Sequence, residues 1–141
     1  MKINSTNFKR LIGIWKTSGE IVKDNSILDG TDSYEFILDG NFILHKANVK
    51  MGKEKSETVE LISIDNSSGK ASMQYFNSKG ERGLMSASLT GNDFRIEGEG
   101  LKFIGTINDE NSELTGKWYL QAENQDWTEF INLKLQKEST L

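Results

Sequence analysis

Glycine punctuation sets the rhythm of this chain. Gly30, Gly40, Gly52, Gly69, Gly80, Gly91, Gly105 and Gly116 recur roughly every ten to twelve residues, mostly beside Asp, Asn, Ser or Lys. That is the spacing of hairpin turns. Between the turns lie alternating segments rich in β-branched and aromatic residues. The chain contains no proline, so every segment can donate a full ladder of hydrogen bonds. Ten strands are predicted, over about 13–22, 29–38, 42–51, 56–65, 71–78, 83–89, 93–98, 101–107, 113–121 and 127–136. The connections between them, such as Asp39-Gly40-Asn41 and Thr90-Gly91-Asn92, are short, which makes successive strands antiparallel neighbours.

Ten such strands in a flat sheet would twist, expose two edges and leave one apolar face bare. Closing the sheet into an all-β, up-and-down antiparallel barrel removes these problems. A two-sheet sandwich would need crossover connections and longer loops. Composition agrees with a thin wall: only 35% of residues are hydrophobic, 27% are charged and the mean hydropathy is −0.53, too little apolar material for a core wrapped by helices. A barrel of this size encloses more space than its wall side chains fill.

One segment departs from the pattern. Ser5, Thr6 and Asn7 offer capping groups ahead of Phe8, Leu11 and Ile12 at helical spacing, which predicts a short helix over about 5–12 across one end of the sheet. No linker or charge block divides residues 1–141, so a single domain is expected. The first seven residues lack the apolar stretch of a secretory signal, and a cytoplasmic location is expected. The longest apolar runs are three residues, so no membrane-spanning helix is predicted. A net charge of −4 and a pI near 5.1 argue against general nucleic-acid binding. The expected assembly is a monomer or homodimer.

Alternation decides which side chains face inward. In the third strand Ile43, His45, Ala47, Val49 and Met51 form the less charged face, which places His45 inside. There it either meets a ligand's polar head, ligates a haem, or is hydrogen-bonded to a neighbouring strand. In the second strand Tyr34, Phe36 and Leu38 are the inward set, and in the ninth Leu114, Gly116, Trp118 and Leu120, where Gly116 leaves room in the wall. The last strand puts Trp127, Glu129, Ile131, Leu133 and Leu135 on one face. Glu129 among apolar neighbours reads as a ligand contact or as a rim residue reaching water. Candidate ligand contacts are therefore Tyr34, Phe36, His45, Trp118, Trp127 and Glu129. Gly13 and Trp15 read as structural, the glycine turning the chain into the first strand and the indole plugging the barrel floor.

Catalytic patterns are scarce. There is no cysteine and only one histidine, which excludes thiol nucleophiles, thiolate metal sites and multi-histidine metal sites. No phosphate-binding glycine loop and no Gly-x-Ser-x-Gly elbow is present. A single interior group, His45 or Glu129, is the remaining route to acid–base chemistry, and a binding protein is expected rather than an enzyme.

Phe8-Lys9-Arg10-Leu11-Ile12-Gly13-Ile14-Trp15 resembles the opening of calycin-type barrels, where a short helix leads into a glycine-x-tryptophan on the first strand. Leu38-Asp39-Gly40-Asn41-Phe42 is similar to the glycine-phenylalanine hairpin of bacterial lipocalin-like proteins of unknown function, a group related in shape to fatty-acid-binding proteins and nitrobindins. The resemblance implies a barrel that holds a small apolar or amphipathic molecule. It further implies a cation from the last strand packed on Trp15, here Lys134 or Lys137 in place of the usual arginine. A haem-binding, nitrobindin-like barrel is the alternative. His45 would be its axial ligand, although nitrobindins carry theirs late in the chain. A third possibility is an interaction protein with a filled core. The interior arginine of a fatty-acid-type barrel is missing, since Arg95 alternates with Phe94 and Ile96 and so faces solvent.

Overall fold

The structure is a computed structural model that describes residues 1–139. Ten strands follow one another in it: β1 Gly13–Ile21, β2 Ile27–Ile37, β3 Phe42–Met51, β4 Glu54–Ile64, β5 Ala71–Asn77, β6 Arg82–Thr90, β7 Asp93–Gly98, β8 Leu101–Ile107, β9 Glu113–Gln121 and β10 Trp127–Ser139. Each pairs antiparallel with its neighbours in sequence, and β1 pairs with β10 from Ile14↔Ser139 to Ile21↔Ile131, closing the barrel. The expected architecture is thus present. β2 and β4 begin two residues earlier than predicted and β10 runs three residues further.

The helix expected over 5–12 is instead two 3-10 turns, Ile3–Ser5 and Asn7–Leu11. Thr6 separates them in an extended conformation. Its hydroxyl donates to the Ile3 carbonyl at 2.7 Å and accepts from the Phe8 amide at 3.3 Å. The capping side chain thus satisfies backbone groups on both sides and splits what would have been one helix. The flattened segment crosses one barrel end and ties its hairpins together. The Asn4 amide donates to Gly40 in the β2–β3 turn, Asn7 Nδ2 to Leu89 and Gly91 near the β6–β7 turn, and Arg10 to Asn92 in that same turn and to Asn108 and Asn111 in the β8–β9 turn.

Beneath it, Ile3, Phe8 and Leu11 join Trp15 in the core. Trp15 is fully buried, and its Nε1–H donates to the Leu11 carbonyl at 2.8 Å. Lys137 Nζ stands 4.9 Å from the indole centre and also donates to the Arg10 carbonyl. Of the two lysines proposed for that place, Lys137 holds it. Gly13 has φ +143°, and a Cβ there would lie 2.6 Å from the Ser139 carbonyl oxygen, so both backbone conformation and space require glycine.

A row of paired side chains, Phe36–Ile43–Ile62–Met73–Met85, crosses β2 to β6. Ile43, Ile62 and Met73 in that row are almost completely buried. This packed layer separates the closed end from the open interior. Among the described residues no helix is long and apolar enough to cross a membrane, which leaves membrane crossing by strands unaddressed.

Candidate functional site

Past the packed layer the barrel interior forms a half-open pocket of about 400 Å³. Leu28, Val49, Met51, Phe94, Phe103 and Trp118 supply much of its wall. Phe103 meets Phe94 edge to face at 5.8 Å and Trp118 at 5.3 Å, so three rings form one continuous surface. Gly116 makes this possible. It pairs with Gly105, and a Cβ on either residue would come within 2.5 Å of the Phe103 ring. The gap in the wall expected at Gly116 is thus occupied by the Phe103 ring.

Charge is confined to one corner. Tyr34, His45, Glu60 and Tyr75 are directly paired across β2, β3, β4 and β5, forming the row next to the packed layer. Tyr34, His45 and Glu60 make the corner, while Tyr75 reaches out of it to donate its hydroxyl proton to the exposed Glu99. His45 Nδ1 lies 2.9 Å from Glu60 Oε1 and its Nε2 lies 2.6 Å from Asp32 Oδ1. The Thr17 hydroxyl donates to the second oxygen of Asp32. Tyr34 stacks flat against the imidazole, with centroids 4.0 Å apart. Burial alone would lower the His45 pKa, but hydrogen bonds and charge from Asp32 and Glu60 outweigh it and raise the value to about 9. Burial, followed by the same two carboxylates, raises the Tyr34 phenol well above its ordinary value.

The proton count follows from geometry. Each nitrogen–oxygen contact needs one proton between its two heavy atoms, so the imidazole and two carboxyl groups together hold two. Wherever those protons reside, the trio carries one net negative charge. Two polar groups are left over. Among the described residues no hydrogen bond engages Glu60 Oε2 or the Tyr34 hydroxyl; neither atom is sealed off, the one fully buried side-chain polar atom without a partner being Asn132 Oδ1. Both residues border the space.

Three of the six sequence candidates, Tyr34, His45 and Trp118, line this space together, whereas Phe36, Trp127 and Glu129 do not. Phe36 shares the inward face of Tyr34 but stands one step toward the closed end, opposite Ile43, and is 37% exposed. Trp127 and Glu129 are corrected by a β-bulge. The β9–β10 register shifts between Glu129 and Ile131, leaving Phe130 as the extra residue, and the alternation reverses there. Ile131, Leu133 and Leu135 face inward as expected, but Glu129 pairs with Tyr119 outside and forms an ion pair with Lys117 at 2.6 Å. Trp127 lies outside as well, under Lys102 Nζ at 4.2 Å. Arg95 is exposed, as expected, in an ion pair with Asp93.

Asp32, Glu60 and Thr17 escaped the sequence reading. Asp32 precedes Tyr34 by two, so the alternation that turns Tyr34 inward turns Asp32 inward also. Glu60 was hidden by its neighbours: Val59 and Leu61 are apolar yet belong to the outer face of β4, where both are exposed. With both ring nitrogens engaged, His45 offers no free lone pair for an axial bond to haem iron, so its setting does not fit the haem-binding alternative.

No protein-family profile matches this chain, and no curated protein matches its sequence. Among solved structures the chain is similar to a de novo designed fluorescence-activating β-barrel. The TM-score is 0.51 at 10% identity, over 98% of this chain and all of the designed one. At that identity the likeness concerns the fold.

Proposed function

We propose that this protein binds a small apolar or amphipathic molecule inside its barrel. The observation that carries the reading is the half-open interior pocket of about 400 Å³, its walls largely aromatic and aliphatic, with the carboxylates of its lining, Asp32 and Glu60, together in one corner. Such a division is typical of sites that hold a ligand by burial and orient it with a few polar groups. At about 25 cal/mol per Å² of apolar surface, burial brings a molecule of this size toward micromolar affinity. Tyr34, His45 and Trp118 are the sequence-derived contacts in this proposal, joined by Asp32, Glu60 and Phe103.

The test is titration with a neutral environment-sensitive dye such as Nile red. Binding is expected at one-to-one stoichiometry with quenching of tryptophan emission, and Trp118→Arg is expected to abolish it while circular dichroism stays β-rich. Absence of saturable binding to the folded wild type at high micromolar dye would overturn the reading.

A further inference from the structure

The polar corner also specifies the chemistry of the ligand's head group. Resting on the reading of the interior as a ligand site, we propose that the pocket selects a cationic amphiphile, an apolar body bearing an ammonium-type head whose N–H groups donate to Glu60 Oε2 and the Tyr34 hydroxyl.

Three observations converge on this. First, the ionisable trio carries a net charge of −1 by its proton count, and among the described residues no lysine or arginine lines the space to offset it. Second, the groups left without a partner are a carboxylate oxygen, which can only accept, and a phenol, which can accept or donate. A ligand that satisfies both brings hydrogen-bond donors, and one that also neutralises the corner brings a positive charge. Third, the corner lies beside the packed layer, while the walls running away from it toward Met51 and Leu101 are uncharged, aliphatic and aromatic on most sides with Ser56, Thr58 and Asn77 as a polar strip on one. An elongated ligand therefore enters head first and leaves its tail against the phenylalanine and tryptophan rings.

The same features disfavour a carboxylate head group. A fatty-acid carboxylate placed there would face a buried negative charge with no cation to receive it, and it would leave Glu60 Oε2 without a donor. An ammonium head compensates its own loss of hydration by pairing with a carboxylate whose other oxygen is already fixed by His45.

Dodecylamine, dodecanol and dodecanoate share one chain and differ in head group. They can be compared near neutral pH, below the concentrations at which they aggregate, by displacement of bound Nile red from the wild type. Dodecylamine is expected to displace the dye at a concentration at least tenfold below dodecanoate, with dodecanol between them. Glu60→Gln retains the side chain's shape, removes the net charge, and is expected to reduce the preference to less than threefold. Tyr34→Phe keeps the ring on the imidazole and is expected to weaken dodecylamine by a few fold without affecting dodecanol. Dodecanoate displacing as well as dodecylamine, or an unchanged preference in a folded Glu60→Gln protein, would overturn the head-group assignment and leave the ligand site standing. Should Glu60→Gln fail to fold, the wild-type ranking alone decides. If Nile red does not bind at all, the ligand-site reading falls and this assignment falls with it.

Discussion

Tyr34 lies face to face with His45, their planes only 6° from parallel, and this stack holds the imidazole edge-on between carboxylates from both neighbouring strands. A ring clamped in this way cannot turn away from either Asp32 or Glu60. The electron-rich face of the phenol also favours the protonated imidazole. The stack therefore connects the register of β2 against β3 to the charge state of the barrel interior.

His45 is the only histidine, so its imidazole proton resonances can be assigned without ambiguity. They should titrate with a midpoint near pH 9, because the two carboxylates hold the proton on despite burial. Since the folded pKa lies above the unfolded value of 6.5, the associated stability is fully present below about pH 6.5 and is lost as pH rises through about 9. Urea midpoints should fall across that window and level off beyond it. A titration midpoint at or below 6.5 would mean that the imidazole is not held between two carboxylates.

Trp15→Ala should destabilise the protein by about 3–5 kcal/mol, the range for deleting a fully buried aromatic side chain. The change also removes the donor to Leu11 and the ring beneath Lys137. Equilibrium urea unfolding measures the loss. A value under about 1 kcal/mol, as at ordinary surface positions, would remove Trp15 from the barrel floor.

Gly116→Ala should cost about 1–3 kcal/mol through overpacking, because the new methyl group enters the space held by Phe103 and Gly105. The displaced ring forms part of the pocket wall, so the affinity for a neutral dye should change along with the thermal midpoint. Unaltered dye binding would place Phe103 away from the ligand.

Glu129→Gln should leave both dye binding and the urea midpoint unchanged, since the side chain is on the outer wall in a solvent-exposed pair with Lys117. Competition assays comparing it with Glu60→Gln distinguish an outward from an inward carboxylate. Loss of binding on changing Glu129 would show that β10 carries no bulge at Phe130.

The site was legible where alternation runs unbroken. Along β3 and β9 the apolar faces predicted from sequence are the inward ones, and alternation alone places His45 and Trp118 in the interior. Reading failed at Phe130, where one extra residue reverses the faces of β10, because a bulge has no necessary marker in local composition. It also failed at β4, whose outer face carries Val59 and Leu61 while its inner face carries Glu60.

By itself the sequence determined the barrel: period-two segments, short glycine-bearing turns and freedom from proline leave few arrangements other than successive antiparallel neighbours closed edge to edge. Those are local properties, carried by each segment and its own turn. Only the tertiary structure decided which side chains meet. Asp32, His45 and Glu60 stand on three different strands, and their contact depends on registers a single-residue slip would undo. The charge they share, and the chemistry it selects, is a property of the closed barrel and of no single strand within it.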